Sequence, residues 1–390
     1  MNRRNFITRS VSSAIAWVIA TKNNALAKAS SEKKTQSKKP PLAKPKKTDN
    51  RLITSEQQLF AWIKNTPPGL AVPKNKSLIP RWHTKAIEEF KNMLALSKYQ
   101  TANPKVEQLE QFQYQGLLAT RLAITPQTET GGWEALILEP QDTSKKKPAW
   151  VCTHGCLSGG MSSVTGLAYN IPGGKESLEL CQADYALQLA KRGYVTISFH
   201  CPCFGTRAGS NSKDGRPSEE MMLGTLYLGK PYLGWCIADT MTAVSALYDW
   251  PTVDKNKIGT VGFSLGGTTA TWTAAVDPRV KATIFSGRVA SYRSRILKGR
   301  NVGTLACISD RISIMGKGDS VALVAPKPMF VNQEVRNDPE VAAERVNPII
   351  RVYDAMNASD KLTINYDMRG RHVFSGEPAY KWIEKLWTIK

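Results

Sequence analysis

Ser264 stands in Gly262-Phe263-Ser264-Leu265-Gly266-Gly267, between residues 257–261, which read as a short buried strand, and residues 268–275, which read as a helix. Gly-x-Ser-x-Gly recurs by chance as an ordinary tight turn. A strand running into a helix through that turn gives it chemical meaning, because the strained Ser backbone holds its hydroxyl clear of the sheet edge. Small flanking residues let strand and helix approach without a Cβ clash. A serine hydroxyl is a weak nucleophile until a base takes its proton and a third group orients that base. The imidazoles available are His83, His154, His200 and His372.

The elements that must position such groups follow from the pattern around them. From residue 149 onward, apolar strands alternate with amphipathic helices, which predicts a mainly parallel sheet with helices on both faces. Strands are expected at 149–153, 194–199, 257–262, 281–285, 328–332 and 362–366. Helices are expected at 177–192, 233–250, 264–275, 339–356 and 378–387. Residues 112–124 and 133–139 add two antiparallel strands joined through Gly131-Gly132, making eight strands. Before them, Thr54-Ser55-Glu56-Gln57 fits a capping box opening a short helix, and residues 82–99 carry a second. These form an N-terminal helical lead-in. The connections 205–233 and 288–320 follow strand C-termini, so both should overhang the site.

The net charge of +21 is uneven: residues 1–50 hold 12 Lys/Arg against Glu32 and Asp49, about half the excess. The remainder is only mildly basic, which argues against a nucleic-acid partner. A hydrophobic share of 42% fits an ordinary globular chain rather than a membrane bundle. Arg3-Arg4-Asn5-Phe6-Ile7, the apolar run 11–20 and Ala25-Leu26-Ala27 read as a secretory signal over 1–27, resembling the twin-arginine export motif. The apolar run is too short to span a bilayer, so no stable membrane insertion is expected after processing. Residues 28–50, rich in Lys, Ser and Pro, read as a disordered linker before a catalytic domain over 51–390.

Seven cysteines are present. Cys152-x-His154-x-Cys156 and His200-Cys201-x-Cys203 end two strands that should be neighbours. A metal cluster or a disulfide is conceivable there, but alternation sends those side chains to different sides, and buried thiols are the favoured reading. No metal and no cofactor are expected.

With these residues placed, the chain from about residue 151 resembles the α/β-hydrolase superfamily. It is similar above all to the branch of dienelactone hydrolases and acetyl xylan esterases, in a secreted bacterial subgroup. The resemblance rests on His154-Gly155; on Leu187 through Val195 with Cys203-Phe204-Gly205-Thr206-Arg207 after it; on Asp239; on Val276-Asp277-Pro278-Arg279; on Val324-Ala325-Pro326-Lys327-Pro328; and on His372-x-Phe374-Ser375-Gly376. It implies the chain order Ser, acid, His, and His372 alone follows Ser264, directly after the last expected strand. Asp338, followed by Pro339, is the favoured acid. Glu334 stands second and Asp367 third. The backbone N–H groups of Leu265 and Cys156 are the expected oxyanion donors. His154 is read as a spacer that fixes its loop.

Three departures accompany the resemblance. The segment from Gln333 to Pro339 is longer than the branch's usual Gly-Glu-x-Asp-Pro. His200 stands where relatives commonly carry Asp. Ser264 replaces the cysteine nucleophile of dienelactone hydrolases proper. The function expected is an exported, cofactor-free serine carboxylesterase, with acetylated carbohydrate as the first substrate class to test. Arg207 and Arg288 follow strand ends, where they either meet acidic substituents such as uronates or form structural ion pairs. One rival is a serine peptidase of the prolyl oligopeptidase type, which should carry a propeller region that is not evident here. The other is a non-catalytic envelope-binding protein on a hydrolase scaffold, which would not need the Ser, acid and His set. Oligomeric state is not legible.

Overall fold

The computed structural model describes residues 53–127, 131–156, 159–170, 174–209, 219–298, 314–336 and 338–389. The expected signal peptide and linker, and Cys307, lie outside the described residues. Nine strands form one sheet in the order β1-β2-β3-β5-β4-β6-β7-β8-β9. They are β1 (Lys105–Tyr114), β2 (Leu117–Thr125), β3 (Trp133–Pro140), β4 (Lys147–Thr153), β5 (Val195–Phe199), β6 (Val253–Phe263), β7 (Ala282–Gly287), β8 (Met329–Glu334) and β9 (Leu362–Asp367). Strands β4 to β9 run parallel, whereas β1, β2 and β3 pair antiparallel and join the rest through β3 and β5.

The expected count of eight is corrected to nine, because the stretch 112–124 is not one strand. Gln115 and Gly116 both take positive φ, 50° and 81°, and turn the chain back on itself. A two-residue turn with both φ positive matches the twist of a hairpin. The strand it adds, β1, is an exposed and largely polar edge, so it shows little of the alternation that announces a half-buried strand.

Side-chain alternation along the strands divides the core between two faces. Ala149 and Val151 of β4 join one apolar cluster, while Trp150 and Cys152 join another. The first face carries three helices: α1 (Ile79–Met93), α4 (Leu265–Val276) and, between them in the chain, α3 (Tyr232–Tyr248). Phe90 of α1 meets the edge of Trp272 of α4 with centroids 5.0 Å apart, so the N-terminal helices belong to the main core. The opposite face carries α2 (Tyr185–Lys191) and, near the C-terminus, α6 (Gly376–Leu386), with Trp387 beyond it against Trp150 at 4.9 Å. The helix expected over 177–192 is broken into Gly174–Cys181 and α2, with Gln182 at φ 51° between them.

The turn between β6 and α4 carries the strain. Ser264 sits at φ 61°, ψ −112°, a region that costs a non-glycine residue about 1–3 kcal/mol. The surroundings enforce it. A Cβ on Gly266 would lie 2.0 Å from the Thr153 carbonyl oxygen, and one on Gly262 would lie 2.3 Å from Gly266. Helix, strand and the end of β4 therefore touch backbone to backbone. Gly266→Ala is expected to cost about 2–3 kcal/mol by overpacking. A lowered urea midpoint at unchanged slope would report it, and an unchanged midpoint would contradict the close approach.

Candidate active site

The parallel strands β6, β8 and β9 end on the same side of the sheet, and each delivers one polar group there. Ser264 follows β6. Its Oγ lies 2.9 Å from His372 Nε2. His372 stands in the loop after β9, and its Nδ1 lies 2.7 Å from Glu334 Oε2. Glu334 is the last residue of β8, directly beside Asp367 of β9 in the register. The Phe263 ring packs on the imidazole with centroids 4.5 Å apart.

The expected acid, Asp338, is elsewhere. Its carboxylate accepts the Val341 N–H at 3.0 Å and caps helix α5 (Pro339–Ala355). Glu334 takes the place at His372 because β8 runs two residues beyond the expected end at Asn332, which carries residue 334 to the sheet rim. Burial pushes the Glu334 carboxyl up, but hydrogen bonds from His372 and Arg336 outweigh burial and hold it below the ordinary carboxylate range. Arg336, which the sequence reading passed over, pairs with the other Glu334 oxygen. Its place two residues after a carboxylate was the signal available.

Asp367, the third candidate acid, anchors the histidine loop. Its Oδ1 accepts from Arg369 N–H at 3.1 Å and Arg369 Nε at 2.8 Å, while Oδ2 accepts from Ser375 Oγ at 2.6 Å. Phe374 stacks on Tyr185 at 4.5 Å and donates its N–H to the Cys181 carbonyl. The loop bearing His372 is thus pinned on both sides.

The opposite wall comes from the loops after β4 and β5. Buried His154 accepts the Cys201 N–H at Nε2, 2.9 Å away, so its proton resides on Nδ1 and is donated to the Gly155 carbonyl at 2.7 Å. His200 accepts the Met161 N–H at Nδ1. Arg207 donates to the His200 carbonyl and pairs with Asp239 at 2.6 Å, which makes it a structural cation. These contacts hold Cys156 beside Ser264. Cys156, Ser264, Leu265, Arg288, Glu334 and His372 all line one pocket of about 310 Å³. Leu265 opens α4, where an N–H has no partner within the helix. Among the described residues no group of His, Cys, Asp and Glu could hold a metal ion, and Cys152, Cys156, Cys181, Cys201, Cys203 and Cys236 form no disulfide.

Comparison with known proteins adds the fold's name. The structure superposes on one from Bacteroides fragilis, provisionally described as an acetyl xylan esterase, with a TM-score of 0.74 at 18% identity, covering 86% of this chain and 95% of that one. The chain has the α/β-hydrolase fold. A glucuronoyl esterase from Solibacter usitatus shares the hydrolase fold with a TM-score of 0.54 at 15% identity, over 82% and 96% of the two chains. The profile of the Dienelactone hydrolase family matches residues 180–300, the stretch holding α2, β5, α3, β6 and α4. Among curated proteins, the hydrolase-fold chain is 25% identical to YtaP of Bacillus subtilis, provisionally named a hydrolase, over 45% of this chain and 59% of that one. It spans less than two thirds of the curated relatives it matches.

Three imidazoles of this hydrolase fold, His83, His154 and His200, are buried and held below the ordinary value by that burial, which makes acid stability diagnostic. Burial holds His154 down to about 4 and His200 down to about 3, against 6.5 for a free imidazole. The unfolded chain therefore takes up protons first, and stability falls as pH drops from 6.5 through the folded values. For His154 alone the loss is about 3 kcal/mol by pH 4. Glu334 and Asp367, both held low, add a loss that sets in as the pH falls through the ordinary carboxylate range and grows below it. Denaturant titrations should show this slope between pH 6.5 and 4, and His154→Gln should lessen it, leaving the share of His83 and His200. An equal slope in the variant would contradict a neutral buried His154.

Proposed function

We propose that the protein is an exported serine carboxylesterase acting on esters of carbohydrates through Ser264, His372 and Glu334. The observation that carries this reading is the unbroken hydrogen-bond chain from Ser264 Oγ through both imidazole nitrogens to Glu334, opening on a pocket. His372 takes the hydroxyl proton at Nε2 as Ser264 Oγ attacks the ester carbonyl carbon. Glu334 receives the Nδ1–H, fixing the tautomer that leaves Nε2 basic and stabilising the imidazolium. The Leu265 and Cys156 N–H groups face the oxygen that becomes negative, a contribution of roughly 3 kcal/mol for each such donor. His372 then returns the proton to the departing alcohol. Water attacks the resulting acyl-serine by the same route.

The carbohydrate side of the proposal draws support from the structural neighbours, described as acetyl xylan and glucuronoyl esterases. Export rests on the leader at 1–27. No helix among the described residues is long and apolar enough to cross a membrane.

Hydrolysis of 4-nitrophenyl acetate tests the proposal. Ser264→Ala is expected to lower kcat on the order of 10⁴–10⁶-fold. Equal rates in the two proteins would reject the nucleophile. The acid is tested separately. Glu334→Gln should cost on the order of 10³–10⁴-fold in kcat, because a neutral amide no longer stabilises the imidazolium or enforces its tautomer. Asp338→Asn should stay within about threefold of the parent, since Asn caps a helix as well as Asp does. The reverse pattern would return the role to Asp338.

A further inference from the structure

The active-site pocket does not end at its own wall. A second cavity of about 420 Å³ adjoins it, and the two share Ala290 and Lys317 in their linings. Arg288, Arg295, Arg336 and Lys317 line the first, and Lys298, Lys317 and Arg345 line the second. Against these six cations the same walls offer two carboxylates. Glu334 is buried and already holds His372 and Arg336. Glu344 stands alone in the outer cavity.

Elsewhere several partly buried arginines pair closely with carboxylates, while Arg293 and Arg351 donate to backbone carbonyls instead. Arg207 meets Asp239 at 2.6 Å, Arg279 meets Asp277 at 2.7 Å and Arg369 meets Asp367 at 2.6 Å. Arg288, Lys298 and Arg345 have no carboxylate partner among the described residues, although Arg288 and Arg345 are only partly exposed. Such cations repel one another. Burial, then Arg345 and Arg336, disfavour the charge on Arg288, and Glu334 offsets them only in part. A guanidinium does not shed its proton at ordinary pH, so the repulsion persists until an anion arrives. Unpaired cations gathered along a concave wall are what recognition of a carboxylate or sulfate requires.

We propose that the two cavities form one track for an acidic polysaccharide, whose carboxylate or sulfate groups meet Arg288 and Arg345 while the ester to be cleaved lies at Ser264. This inference rests on the esterase reading and narrows its substrate to glycans bearing negative charge on successive sugars. A neutral acetylated glycan offers these side chains hydroxyl and carbonyl acceptors but no charge to balance theirs. The length of the track favours a polymer over a small anion, because the cations span both cavities rather than converging on one point.

Binding of ester-free glycans to the full chain tests the track without any turnover. Isothermal titration at about 0.15 M salt compares oligogalacturonate, a sulfated galactan oligosaccharide, a neutral xylo-oligosaccharide and a single-stranded oligonucleotide. At least one acidic glycan is expected to bind about tenfold or more tightly than the neutral one, and Arg288→Gln combined with Arg345→Gln should remove about tenfold of that affinity. The tighter of the two acidic glycans identifies the anion. Lys298→Gln, at an exposed position, supplies a second variant with a smaller loss in the same direction. Equal affinity for the neutral glycan, equally tight binding of the oligonucleotide, or unchanged affinity in both variants would overturn the proposal. Hydrolysis of 4-nitrophenyl acetate by the same protein separates the two failures: an active enzyme with no acidic preference loses only the track, and a glycan-binding but inactive one loses the esterase.

Discussion

Backbone contact between the end of β4 and the first turn of α4 is the constraint from which the site follows. Thr153 O, Gly262 and Gly266 leave no room for a side chain where they meet, and that crowding forces Ser264 into its left-handed conformation. The loop bearing Cys156 is packed as closely, since a Cβ on Gly155 would lie 2.9 Å from the Phe263 carbonyl oxygen and 3.2 Å from the Ser264 Cβ. The Ser264 hydroxyl and the Cys156 wall beside it are therefore placed by one packing event. A hydroxyl held this way costs backbone strain, and the buried surroundings of β6 and α4 sustain it.

The remaining polar groups are held by clamps rather than by regular structure. His372 sits in a loop, yet Asp367, Arg369, Ser375 and stacked Phe374 leave that loop little freedom. His154, His200, Arg207 and Asp239 do the same for the opposite wall. Several residues by which the chain resembles its relatives, His154, Arg207, Asp239, Phe374 and Ser375 among them, belong to such clamps rather than to the Ser264–His372–Glu334 chain. Arg279 and Asp277, for instance, brace the end of α4 against α3. A sequence resemblance built on clamps transfers the shape of a site more faithfully than its substrate.

What the sequence could disclose follows the same division. Ser264 and its turn were legible because their geometry is local, needing only a strand, two glycines and a helix. His372 was legible from chain order. The carboxylate that bonds to His372 was not, because its place depends on how far β8 extends, and Asp338-Pro339 advertised a helix cap that looked equally like a candidate acid. Two residues of strand length decided between Glu334 and Asp338. The edge strand β1 was hidden for a related reason: its polar face carries no alternation, and only the short Gln115-Gly116 turn separates it from β2. Of the proposed basic track only Arg288 was legible, from its place after a strand end; Arg336 and Arg345 come from other segments that only the fold brings near it.

Arg336 gives the Glu334–His372 pair a further property. Its guanidinium pairs with Glu334, and the proposed chemistry starts from a neutral imidazole and hydroxyl. Under the proposed chemistry the transition state adds one positive imidazolium and one negative oxygen, so the assembly passes from one balanced ion pair to two. Its net charge never changes along the path. The second ion pair is nonetheless newly separated charge, so the fixed N–H groups and the Glu334 carboxylate must supply beforehand the solvation that water would otherwise have to rearrange to give.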